Sequence, residues 1–192
     1  MDEASALEIL RDHGQDDYRP DSHFLIDRVC AHSANPLSRD SAQTTSSMVA
    51  HLLPEAQTFW ATGTAAPCTS LFKPIRFEDS VLPDIGPLPG KAYDPENLWW
   101  GHEKLHRAVL KDFAARSRAI RTDLVKTQKA FIEASRSAAA GKHFEVTQKA
   151  FKEAREKESA WLREIEKLPI KRKNNWIYKR YWSGRNKHAA ID

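Results

Sequence analysis

The chain has 192 residues, 41% of them hydrophobic and 29% charged, enough for one packed domain or one domain with an appendage. No run approaches the roughly 18 apolar residues of a membrane span. The acidic, amphipathic opening MDEASALEILRDHG is unlike a secretory signal, and two cysteines cannot make a disulfide framework, so a reducing, cytoplasmic setting is expected. Charge is segregated: residues 1–99 hold 7 Lys/Arg against 15 Asp/Glu, whereas residues 171–192 hold 7 basic groups and one acid. The two halves either neutralise each other within one body or serve separate partners.

In chain order, Ala4–His13 carries an apolar stripe through Ala6, Leu7, Ile9 and Leu10, with Gly14 placed to stop a short helix. QDDYRPDSH is turn chemistry, and Phe24–His32 is apolar and β-branched enough for a strand. Three further strands are expected at Gln43–Leu53, Thr58–Thr64 and Thr69–Ile75. Their connections are too short for crossover helices, so the pairing is expected to be antiparallel. Arg76–Tyr93, rich in Pro and Gly, reads as irregular surface.

At Asp94 the period changes. Asp94 suits an N-cap and Pro95 the first helical position. Leu98, His102, Leu105, Val109, Phe113, Ile120, Leu124 and Phe131 then mark one face of a long helix. Ala138–Gly141 interrupts it, and Phe144, Phe151, Ala154, Trp161, Ile165 and Leu168 line a second helix that stops at Pro169. The pair is expected to form an antiparallel αα-hairpin. TQKAF occurs at Thr127–Phe131 and again at Thr147–Phe151, too few copies for a repeat architecture. The expected division is residues 1–93 as helix plus strands, 94–170 as a covering hairpin, and 171–192 as a basic, aromatic tail.

Four features carry candidate chemistry. The tail interleaves seven Lys and Arg with Trp176, Tyr178, Tyr181 and Trp182, a pattern that can neutralise phosphates and stack on bases. Without a nucleic-acid-binding fold signature, packing of those rings onto the helices is the favoured reading, and a non-enzymatic module binding nucleic acid or an acidic partner is the alternative. Cys30 and His32 would share one face of a strand as a thiolate–imidazole pair, although free cysteines are more often buried and inert. His102 and His106 bracket Glu103 in HEKLH, the spacing of a zincin helix, but His102 also lies on the apolar stripe. Thr44, Thr45, Ser46 and Ser47, with Thr62 and Thr64 of the TGT turn, place small hydroxyls in strand-like segments where a substrate can approach a sheet.

AQTTSSMVAHLL (42–53), FWATGTAAPCTSLFKPI (59–75) and WWGHEKLHRAVL (99–110), together with SALEILRDHG, CAHS and YKRYWSGRNKHAA, occur in an order that resembles the C-terminal half of the secernin and cysteine-dipeptidase family. The resemblance spans nearly the whole chain. It implies an α+β fold, the C-terminal half of an αββα sandwich of the N-terminal-nucleophile hydrolase type, similar in architecture to penicillin V acylases and bile-salt hydrolases. It implies cleavage of amide bonds, typically of dipeptides, by a cysteine that opens the mature enzyme and uses its own α-amino group as base. Neither Cys30 nor Cys68 matches that position, so no catalytic residue is assigned, and the chain is expected to be inactive alone. Thr44, Thr45, Ser46, Thr62, Thr64 and His32 are the substrate-side candidates. HEKLH becomes a family helix motif, so no metal and no cofactor are expected. The expected partners are a small peptide or amide substrate in the full-length protein and association through an unpaired sheet edge, with no membrane and no favoured role for nucleic acid.

Overall fold

The structure, a computed structural model, describes residues 2–14, 18–22, 28–32, 43–54, 56–77 and 83–191. Helix α1 (Glu3–Leu10) starts where the Asp2 carboxylate accepts from Ser5 N, one of the donors a helix start leaves unpaired. Strands β1 (Met48–Leu52), β2 (Gln57–Ala61) and β3 (Lys73–Ile75) form an antiparallel meander in that order. Val49 pairs with Trp60 and Trp60 with Pro74. Helices α2 (Leu98–Leu110), α3 (Phe113–Ser137), α4 (His143–Lys167) and α5 (Trp176–Ala189) follow. The fold is therefore mixed helix and sheet, with α4 and α3 packed on β3 and α1 packed on β1. No helix among the described residues is long and apolar enough to cross a membrane.

One core runs through the five helices and β2. Leu7 of α1, Trp60 of β2, Leu71 and Phe72, Leu105 and Val109 of α2, Ile120 and Leu124 of α3, Trp161 and Ile165 of α4, and Tyr178 of α5 belong to a single buried cluster. The acidic first half meets the basic helices directly: Glu3 pairs with Arg136 and Glu8 with Arg121, tying α1 to α3. The segregated charges thus close on each other within one body.

The strands are shorter than their composition suggests. Thr44–Ser47 precede β1, Thr62–Thr64 follow β2, and Thr69–Phe72 form a turn before β3. Their backbones bond elsewhere: Thr44 N donates to Ala31 O, and Thr69 N to Ala66 O. Of the strand expected at 24–32, residues 24–27 lie outside the described residues, and 28–32 are not strand. Cys30 N donates to Asp12 O, so this segment is held by the end of α1 and by Thr44 instead of by a ladder.

The single long helix expected from Asp94 is two. Asp94 accepts from Glu96 N in a turn, and Asn97 is the true N-cap, its side chain accepting from Trp100 N at 3.0 Å. The break between α2 and α3 falls at Asp112, whose φ of −153° and ψ of 77° are not helical. Its carboxylate accepts from Lys171 N and Arg172 N, and Arg116 Nη1 donates back to Ala108 O, so the break receives the chain that follows α4. The hairpin of α3 and α4 is antiparallel: Asp123 accepts from Trp161 Nε1 at 2.8 Å while Arg116, seven residues earlier, reaches Leu168 O. The basic tail is not an extended appendage, since most of it is α5, capped by Asn175 accepting from Tyr178 N.

Candidate functional site

Three irregular segments, the turn after α1, residues 28–32 and the turn between β2 and β3, converge and bring polar side chains inside. Gly14 (φ +74°) turns the chain after α1, a left-handed conformation that favours glycine, and leaves His13 facing inward. The 28–32 segment supplies Cys30 and His32, and the turn between β2 and β3 supplies Cys68. All four are brought to one point: their ligand atoms lie within 4.8 Å of one another. His32 Nε2 is 3.0 Å from His13 Nε2, 3.6 Å from Cys30 Sγ and 3.5 Å from Cys68 Sγ. Cys30, His32 and Cys68 are buried, while His13 is half-buried.

Behind His32 runs a relay of hydrogen bonds. His32 Nδ1 is 2.9 Å from His106 Nε2, and His106 Nδ1 is 3.1 Å from Glu103 Oε2. Arg107 Nε and Gln43 Nε2 also donate to Glu103. Burial raises the Glu103 carboxyl, but His106 and Arg107 outweigh it and hold the group at about 2. An ionised carboxylate only accepts, so His106 Nδ1 donates to Glu103. The relay thereby fixes the His32 ring with its Nε2 turned towards His13 and the two sulfurs.

The thiols are unequal. Burial raises Cys30, yet a hydrogen bond from Cys68 and the neighbouring His32 and His13 hold it well below the ordinary thiol value. Burial, together with Cys30, pushes Cys68 well above it. Burial also drives His32 down to about 4, so its ring is neutral at physiological pH. A cleft of about 1020 Å³, lined by Glu8, Arg11, Tyr18, Phe113 and Arg121 among others, reaches His13 and Cys68.

A second buried polar group lies one turn earlier along α2, at His102. Thr69 Oγ1 is 3.3 Å from His102 Nε2, and His102 Nδ1 is 3.2 Å from Glu158 Oε1. Lys73 Nζ donates to Thr62 O, and burial lowers its ammonium to about 8. The order hydroxyl, imidazole, carboxylate has the sequence of a nucleophile triad. Thr69, however, is fully buried and 3.0 Å from Ala66 O, to which it donates its proton, so this group holds the turn together.

Of the substrate-side candidates, His32 stands at the centre of the thiol–imidazole cluster. Thr44 Oγ1 accepts from Ala31 N at 3.0 Å and so fixes the segment that carries Cys30 and His32. Thr62 and Thr64 are fully buried: Thr62 Oγ1 accepts from Ser47 N, and Thr64 Oγ1 lies 2.6 Å from Ser70 Oγ. Thr45 and Ser46 are exposed, away from the cluster. The pairing of Cys30 with His32, weighed from their spacing, exists here without the strand that suggested it.

The two histidines of HEKLH do not converge. His102 turns to Thr69 and Glu158, and His106 to His32 and Glu103. His13 and Cys68 were missed by sequence reasoning, because residues 55 positions apart share no periodicity. In the tail, Tyr178 is buried and Trp182 stacks against Arg107 at 5.2 Å, which leaves Trp176 as the fully exposed ring among the four. The packing reading of the tail accounts for most of its aromatic surface. Set against known proteins, the chain matches no family model, no curated protein and no solved structure.

Proposed function

We propose that this chain is the C-terminal portion of a cysteine-type amidohydrolase or dipeptidase of the secernin type, part of an αββα sandwich. The observation that carries the reading is convergence. The segments bearing the resemblance, of which 43–53, 59–75 and 99–110 are described, meet around one buried polar core, the third joining the first two across more than twenty intervening residues. Thr44 braces Cys30 and His32, Ser47 is bound to Thr62, and Cys68 and Thr69 meet the α2 histidines through His32 and His102. A shared phrase whose distant parts make one another's hydrogen bonds is a structural unit, not a coincidence of composition.

The sheet supports the same reading. Strand β1 pairs on one side with β2, and no strand among the described residues covers its other edge. Met48 and Leu52 share one face of β1 and are exposed, 61% and 62% respectively. An unpaired strand edge suits continuation of a sheet by further strands. In the family the nucleophile is a cysteine at the mature N-terminus. Cys30 and Cys68 are internal and buried, so neither takes that role.

The test is reconstitution. This chain, co-expressed with the cysteine-initiated N-terminal half of a secernin-type dipeptidase, is expected to co-purify with it and to hydrolyse dipeptides, whereas the chain alone hydrolyses none. Failure to associate, or thiol-dependent turnover by the chain alone that disappears in Cys30→Ala, overturns the proposal.

A further inference from the structure

We propose that His13, Cys30, His32 and Cys68 form a tetrahedral Zn²⁺ site that clamps the end of α1, the 28–32 segment and the turn between β2 and β3 to one another. The inference stands on the geometry of these residues and does not depend on the amidohydrolase reading.

The distances are those of a coordination sphere. With zinc–nitrogen bonds of about 2.0–2.1 Å and zinc–sulfur bonds of about 2.3 Å, tetrahedral angles put paired nitrogens about 3.3 Å apart and nitrogen–sulfur pairs about 3.6 Å apart. The observed separations are 3.0 Å for the two Nε2 atoms, and 3.6 and 3.5 Å from His32 Nε2 to the two sulfurs. Two sulfurs and two imidazole nitrogens are also the donor set of structural zinc sites.

Four metal-ligating atoms converge from three separate segments of the chain, and His32 Nε2 stands against the other three at once. A cation at their centre satisfies all four together. The relay is the outer-shell arrangement that orients a ligating histidine, with the ring nitrogen opposite the metal bonded to a partner that ends on a carboxylate. Glu103 is fully buried and held by Arg107 and Gln43, so the outer shell is itself fixed.

Zinc rather than a harder cation follows from the donors, since thiolates and imidazoles disfavour magnesium and calcium. Four protein ligands close the sphere, so the site is structural and leaves no position for a reacting water. On binding, each sulfur enters as thiolate and the thiol protons are released to solvent; nothing is oxidised or reduced.

The experiment is metal analysis of the full chain, purified with thiols kept reduced. One Zn²⁺ per chain is expected. Replacement by Co²⁺ is expected to give thiolate-to-cobalt charge-transfer absorption in the near ultraviolet and intense visible bands of tetrahedral cobalt. Titrating the thiols of the wild-type chain with a mercurial is expected to release one zinc per two cysteines modified, a measurement that needs no variant to fold. Cys68→Ser is expected to lose the cobalt charge-transfer intensity of one thiolate. His106→Gln, which perturbs the outer shell alone, is expected to weaken zinc binding roughly 10–100-fold. His188→Gln, at an exposed histidine of α5, is expected to leave it unchanged. A wild-type chain that takes up no Zn²⁺ or Co²⁺ overturns the proposal. So does a Cys30–Cys68 disulfide that forms readily in air and is unaffected by added Zn²⁺, or a cobalt spectrum without charge transfer.

Discussion

Replacing Gln128 by Leu tests whether the turn carrying Cys68 is held by side-chain hydrogen bonds from α3. Gln128 is buried and treats Phe72 as a strand neighbour would: Oε1 accepts from Phe72 N at 2.9 Å and Nε2 donates to Phe72 O at 3.0 Å. The same Oε1 accepts from Arg11 Nη2 at 2.8 Å. Leu fills a similar volume but offers none of these, leaving an N–H and a C=O of Phe72 buried without partners. Each orphaned buried group costs about 1–3 kcal/mol. Arg11 loses less, since it still bonds Pro67 O, Ser70 O and Glu8. The added apolar burial returns about 1 kcal/mol, so the net destabilisation is about 1–5 kcal/mol. Against a total stability of about 5–15 kcal/mol, this is a large fraction. Urea unfolding followed by Trp fluorescence is expected to show a midpoint lowered by roughly 0.3–2.5 M at an m-value of about 2–3 kcal/mol/M. Gln128→Glu, which keeps both acceptor bonds and faces the Arg11 guanidinium, is expected to cost less. A Gln128→Leu loss below about 1 kcal/mol, the net worth of a single ordinary hydrogen bond, refutes the reasoning.

Two further predictions concern pH. Glu103 is held at about 2 in the fold against an ordinary 4.5, because His106 and Arg107 outweigh the opposing effect of burial. A depressed carboxyl stabilises the fold fully above its unfolded value and loses that contribution as pH falls from 4.5 towards 2, a difference of order 3 kcal/mol. The stability gap between wild type and Glu103→Gln, measured by urea unfolding, is therefore expected to be constant near neutrality and to shrink in acid; a gap independent of pH below 4.5 counts against it. Lys73 behaves in the opposite direction: burial lowers it from 10.5 to about 8, so its proton penalises the fold at neutral pH and the penalty lifts as pH rises between those values. Relative to Lys73→Met, the wild type is expected to gain stability from pH 8 to 10.5, of order 3 kcal/mol, and a flat difference over that window refutes the assignment.

The helices were the most legible part of the chain. Phe144, Phe151, Ala154, Trp161 and Ile165 recur at helical spacing, and the hairpin of α3 and α4 forms at the expected place because that periodicity is local. Where the order of elements depended on distant partners, local reading failed. The break at Asp112 lies inside an uninterrupted apolar stripe; it exists because the carboxylate binds the backbone of residues 171 and 172, a contact no window of neighbours contains. Thr62, Thr64 and Thr69 have the β-branched composition of strands, yet their hydroxyls bond nearby turns, and tertiary hydrogen bonds override the propensity.

What the sequence determined by itself is the inventory: helical periods, the antiparallel order of three of the four strands it suggests, a segregation of charge, and the proximity of Cys30 to His32. What only the tertiary structure decided is which groups meet. His13, His32 and Cys68 come from three turns whose separations in sequence are set by the lengths of the connecting elements, and no periodicity encodes such a separation. The same four donors read as unrelated residues along the chain and as one group in space, because packing of α1 on β1 and α3, and of the 28–32 segment and the β2–β3 turn on α2, brings their atoms within 4.8 Å of one another.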